Sequence, residues 1–176
     1  TLFKHMVLQD IHGGNGVGVI DPHGELIDEL LHNLPKSRKK DVIFLNPSDY
    51  DFPIGINMLE AETDIEKDFS VNYLMEVFDI LYNLKETGGP MFEMYMRNSI
   101  QLLLDQSDEL NISVLEVPRL FQDHDFRAML LKNCTNGFVK NFWKKEAEKA
   151  GGEVRIQDVA PYITSKLNRF VYNNTI

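Results

Sequence analysis

The sequence predicts an α/β half of parallel strands and crossover helices over residues 1–61, followed by an all-helical half over residues 62–176. Three observations predict it. Short apolar, β-branched runs alternate with helical apolar spacing before residue 60. Strand signals are absent after that point, and no internal repeat or low-complexity stretch interrupts the chain. An apolar content of 43% with only 7 Pro and 11 Gly in 176 residues is globular rather than disordered.

In chain order, Leu2, Phe3, Met6, Val7 and Ile11 recur at helical spacing, so residues 1–11 read as an amphipathic helix. Its opening Thr1-Leu2-Phe3-Lys4 reads as mid-helix, as expected of a piece of something larger. His12-Gly13-Gly14-Asn15-Gly16 stops that helix. Val17-Gly18-Val19-Ile20 has the unbroken apolar character of a buried parallel strand and ends at Asp21-Pro22-His23-Gly24. Leu26, Ile27, Leu30, Leu31 and Leu34 make the crossover helix, closed by Pro35, and Asp41–Pro47 reads as a second strand. Beyond residue 60, Ile65–Leu84 is helical, with Phe69, Tyr73, Val77, Ile80 and Leu81 on one stripe. Thr87–Pro90 reads as a loop. Helices are expected over 91–105, 114–121, 126–132, 138–150 and 158–172, the last with Pro161 in its first turn, where proline is tolerated.

Charge and cysteine usage narrow the function classes. The net charge is −9, spread as −4 over residues 1–60, −9 over 61–128 and +4 over 129–176. The middle third would repel phosphates, so a DNA contact is expected only on the last third or on the Lys36–Lys40 run. That run equally suits a solvated loop at a helix C-terminus. A single Cys excludes a disulfide framework and a thiolate zinc cluster, and fits a reducing compartment such as the cytoplasm. No apolar run approaches the roughly 20 residues of a membrane span.

The Asp21–Gly24 turn is the most informative point for chemistry. A carboxylate just after a strand is placed to meet a metal-bound phosphate or to orient water. The alternative is a turn whose Asp21 caps the next helix. His5, His12, His23, His32 and His124 show no metal-ligand spacing. No glycine elbow surrounds a serine, and Cys134 reads as an inert thiol. Met91, Phe92, Met94, Tyr95 and Met96 form either a sulfur-rich groove or helix core. Arg97 and Arg169 fit ion pairs with acidic neighbours. Neither Gly-x-x-x-x-Gly-Lys-[Ser/Thr] nor an apolar strand ending in Asp-Glu occurs, so these residues alone do not make a complete nucleotide hydrolase.

Several stretches resemble the coupling ATPases of conjugation and type IV secretion, in the HerA–FtsK group of P-loop DNA motors. Thr1–Ile11 resembles the helix after the phosphate-binding loop. Gly16–Leu26 resembles the second strand with its Asp-Pro-His-Gly-Glu-Leu turn, and Asp41–Pro47 with Ile54-Gly55-Ile56-Asn57-Met58-Leu59 resembles the next strand and its sequel. Gly89-Pro90-Met91, Met96-Arg97-Asn98, Phe142-Trp143 and Lys166–Phe170 extend the likeness through the helical half. The resemblance implies a partial RecA-like sheet with a helical insertion, lying between the two nucleotide motifs. It implies ATP and Mg²⁺ as cofactors, with Thr1 near the metal and Asp21, Pro22, His23 and Gly24 at the edge of the nucleotide pocket. It also implies DNA, relaxosome or secretion-channel proteins as partners, a hexameric ring, and a cytoplasmic domain of a parent that can be membrane-anchored. Arg97, Arg155 and Arg169 are candidates by type for an arginine reaching a neighbouring subunit. The expected function is therefore part of an ATP-driven DNA-translocating motor. The alternative is a non-catalytic helical module that captures a DNA-processing partner.

Overall fold

In the computed structural model, residues 2–52, 54–106, 110–147 and 153–171 are described. They divide into two units at Ser48/Asp49. In the first unit, Leu2–His12 forms α1 and Glu25–His32 forms α2, followed by a 3-10 turn over Lys36–Asp41. Val7 of α1 and Leu30 of α2 are buried, and Lys4 Nζ meets Glu29 Oε2 at 3.0 Å across the two helices. Arg38 explains most of the basic run's structural role. Its guanidinium donates to the Ile11 carbonyl at 2.9 Å, a second donor to an acceptor near the C-terminus of α1 that the Gly14 N–H also meets at 3.2 Å, and pairs with Asp41 at 2.9 Å.

The parallel sheet expected here is corrected by the structure: among the described residues there is no strand. Val17–Ile20 and Ile43–Leu45 make no backbone hydrogen bond. Ile20 is 96% exposed and Ile43 is 86% exposed, whereas a strand inside a parallel sheet would be covered on both faces. The physical reason is that β-branched runs carry only a preference for a pleated, half-buried surface. A strand exists through the ladder that it makes with a neighbour, and these two runs do not bond to each other. They instead line one side of an apolar trough floored by α1 and α2.

The second unit is helical. It comprises α3 (Asp64–Tyr82), α4 (Leu84–Thr87), α5 (Gly89–Leu104), α6 (Val117–Gln122), α7 (His124–Asn133), α8 (Gly137–Asn141), α9 (Glu153–Thr164) and α10 (Asn168–Val171). A capping box starts α3, with Thr63 Oγ1 accepting from the Glu66 N–H while Glu66 Oε2 accepts from the Thr63 N–H at 3.0 Å. Ser113 and Glu116 repeat the device ahead of α6. The expected 87–90 loop is shorter than the sequence suggests, because α4 ends at Thr87 and α5 begins at Gly89. Gly88 is required there, since a Cβ would come within 2.8 Å of the Leu84 carbonyl. Pro161 lies inside α9 rather than in a first turn. Residues 142–147 wind as a π-helical turn continuing α8.

The core runs through α3, α5, α6, α7 and α9, with Phe78, Phe92, Met96, Leu103, Trp143 and Ile163 at or below 1% exposure. Residues 49–61 belong to this unit. Leu59 and Ala61 are buried in the helical core, and the Asn57 side-chain amide donates to the Ile112 carbonyl at 3.0 Å. Asp105, at the end of α5, ties the 134–136 turn down. One carboxylate oxygen accepts from the Thr135 N–H at 2.9 Å and the Asn136 N–H at 3.3 Å, and the other lies 3.4 Å from Lys67 Nζ. Beside it, burial pushes the Cys134 thiol up to about 11, helped by the Asp105 carboxylate. Cys134 is 2% exposed. It should therefore resist alkylation by iodoacetamide at pH 8 in the native protein and react fully only in denaturant. Equal rates in both conditions would contradict this burial.

No helix among the described residues is long and apolar enough to cross a membrane.

Candidate functional site

The Asp21–Gly24 turn sits just ahead of α2. Asp21 Oδ1 accepts from the His23 N–H at 3.0 Å, and Oδ2 accepts from the N–H groups of Leu26 at 2.8 Å and Ile27 at 3.3 Å. Gly24 takes a positive φ of 84°, a conformation that favours glycine, and lets the chain enter the helix. The backbone N–H of His23, ahead of those of Leu26 and Ile27, holds the Asp21 carboxyl below its ordinary value. The carboxylate is thus a helix cap that occupies the donors and the positive dipole end of α2. An incoming phosphate would find those N–H groups taken and a negative charge in place. On that geometry the described turn does not by itself fit a nucleotide. Pro22 and His23 are exposed. Thr1, expected near the metal, lies outside the described residues, as does the Arg155 side chain. No group of three or more His, Cys, Asp or Glu residues among the described ones could hold a metal ion.

The other candidates settle into structure. Arg97 Nε pairs with Glu93 at 2.8 Å, and its Nη1 donates to Asn72 Oδ1 at 2.7 Å. The Arg169 guanidinium lies 5.4 Å from the centre of the Tyr82 ring. The methionine-rich cluster divides. Phe92, Tyr95 and Met96 are core, while Met91 and Met94 face outward.

The surface that sequence reasoning left unassigned is on α3. This helix is apolar on two sides. Val71, Leu74, Met75 and Phe78 enter the core. The stripe read from the sequence faces solvent instead, with Phe69 69%, Tyr73 63% and Ile80 78% exposed, and Ile65 extends it by one turn at 69%. Positions 65, 69 and 73 form an i, i+4 ridge. Asp68 and Glu76 flank or interrupt the ridge, and neither carboxylate makes a hydrogen bond or ion pair with a described residue. The cations nearest in sequence are differently engaged or sit at the rim. Lys67 turns toward Asp105, Arg97 is held by Glu93 and Asn72, and Lys85 lines a shallow pocket with Glu76 and Asp79. A signal was present in the sequence: an α-helix with apolar residues at both spacings cannot bury both within a single layer. An exposed row of large apolar side chains with carboxylates in it is suited to recognition rather than bond-making chemistry.

No protein-family profile, curated protein or solved structure matches this chain.

Proposed function

We propose that the chain is a protein-recognition module that binds its partner through the outer face of α3. The observation that carries this reading is the exposed Ile65–Phe69–Tyr73–Ile80 row on a unit whose other α3 face is fully packed. A helix that keeps large apolar groups in water on one side and closes a core with the other gains free energy when that outer face is covered. The sequence resemblance supplies the class of partner to try first, a DNA-processing factor or a secretion-channel protein.

Two measurements test it. With a photo-crosslinking amino acid at position 69, irradiation in the cells that make the protein should give discrete protein adducts. The same probe at exposed Phe138 should give none. The captured protein, once identified and purified, should bind the wild-type chain and lose at least tenfold in affinity, about 1.4 kcal/mol, to the double variant Phe69→Ser, Tyr73→Ser. Because both side chains are exposed, that variant should keep its stability within about 0.5 kcal/mol of wild type. Absence of adducts at position 69 overturns the proposal. DNA-stimulated ATP hydrolysis, dependent on Mg²⁺ and lowered by Asp21→Ala, would instead favour the motor reading with its ring and DNA partner.

A further inference from the structure

We infer that the occupant of the α3 face is a cationic amphipathic helix of another protein, an inference that rests on the recognition reading and names the partner's chemistry. The row from Ile65 to Ile80 rises roughly 22 Å along α3 at 1.5 Å per residue, which matches about four turns of a partner helix laid beside it. Its apolar groups recur at i and i+4, the spacing that receives the ridge of another helix. The charges then select the partner. Glu76 lies three residues beyond Tyr73 and four before Ile80, inside the apolar row, and Asp68 stands at its edge. Neither carboxylate makes an ion pair with a described residue, although Lys85 and Arg97 line the same shallow pocket as Glu76. Covering the row with a neutral helix would bury Glu76 with no direct ion pair, a cost that a cation on the partner offsets. A Lys or Arg on the partner, set between apolar residues that contact Tyr73 and Ile80, answers that requirement.

The same charges argue against other occupants. Nucleic acid and an anionic bilayer would both bring negative charge to a face that already carries Asp68 and Glu76. A second copy using this same face would set those carboxylates against their own images in an isologous contact.

The test titrates the whole chain at physiological ionic strength with two synthetic helical peptides of roughly 18 residues, long enough for five turns. Both carry leucine at the same i, i+3, i+4 positions, and the polar positions are lysine in one and glutamate in the other. The lysine peptide should bind saturably and the glutamate peptide at least tenfold more weakly. Glu76→Lys should narrow or reverse that preference, and Phe69→Ser with Tyr73→Ser should weaken the lysine peptide at least tenfold. The inference is overturned if the lysine peptide fails to bind, if the two peptides bind alike, or if either variant leaves lysine-peptide binding unchanged. It is also overturned if sedimentation velocity shows the chain dimerising through Phe69. The two failures are distinguishable. Adducts at position 69 to a partner whose contacting segment is acidic keep the recognition reading and remove this inference, whereas no adducts at all remove the reading itself.

Discussion

Trp143→Ala is expected to destabilise the helical unit by about 3–5 kcal/mol, the range for emptying a large aromatic site in a packed core. Trp143 is fully buried in the π-helical turn after α8. Its ring meets Phe142 at 5.4 Å and Phe121 at 5.6 Å in edge-to-face geometry, and Tyr95 at 6.4 Å. Its indole Nε1–H donates to the Asn98 carbonyl on α5 at 3.4 Å. The side chain therefore joins α5, α6 and the π-helical turn at one point. Alanine removes the ring contacts and leaves a void that three elements would have to collapse into. Against a total stability of roughly 5–15 kcal/mol, that loss is enough to unfold a marginal chain. Urea denaturation followed by far-UV circular dichroism reads it as a lowered midpoint with an unchanged slope. A loss below about 1 kcal/mol would show that the aromatic cluster is not packed as described.

Asp105→Ala is expected to cost about 2–3 kcal/mol at pH 7, the range for losing hydrogen bonds to a charged acceptor. The carboxylate is only 9% exposed and serves partners about 30 residues away in sequence. Removal leaves the N–H groups of Thr135 and Asn136 without it and leaves Lys67 without its nearest anion. The pH dependence supplies a second readout. Burial alone would raise the Asp105 carboxyl. The Thr135 N–H, the Cys134 thiol, the Asn136 N–H and the Lys67 charge outweigh it, so the folded value lies below the ordinary one. A group depressed on folding stabilises fully above its unfolded value, about 3.9 for Asp, and loses that contribution as pH falls through the folded value. The difference between wild type and Asp105→Ala should therefore be constant from pH 7 to pH 5 and shrink below about pH 4. A difference that persists undiminished at pH 2 would mean that packing, not charge, is what the substitution removes.

The parts of this structure that were legible in the sequence are those set by local chemistry. The α1 and α2 segments follow from apolar spacing, and the Asp21 cap was one of two readings available for the Asp-Pro-His-Gly turn. The sheet was misread because Val17–Ile20 and Val42–Leu45 have strand-like composition, while a strand depends on hydrogen bonds to a neighbour that composition does not report. For α3 the periodicity was real, but two apolar stripes ran along one helix. Spacing alone does not say which stripe meets α5 and which meets water. Asp105 was invisible for a different reason. Its role depends on the 134–136 turn and Lys67 arriving from opposite directions, and nothing near position 105 in sequence announces them.

The fastening of the chain from α9 to α10 back onto the end of α3 and the start of α5 has a consequence for how this protein is made. The Tyr82 hydroxyl donates to the Lys166 carbonyl at 2.6 Å, 84 residues later in the chain, and the Tyr162 hydroxyl donates to the carbonyls of Thr87 and Gly88. Phe78 likewise stacks edge-on against Phe170. On a ribosome adding roughly 5–20 residues per second, α3 waits about 4–17 s for those partners to be synthesised. Through that interval the outer stripe faces water and the inner one has α5 but not the cover that Phe170 gives Phe78. The nascent chain is then a substrate for a holdase chaperone in a way that the finished protein, with one stripe covered, is not.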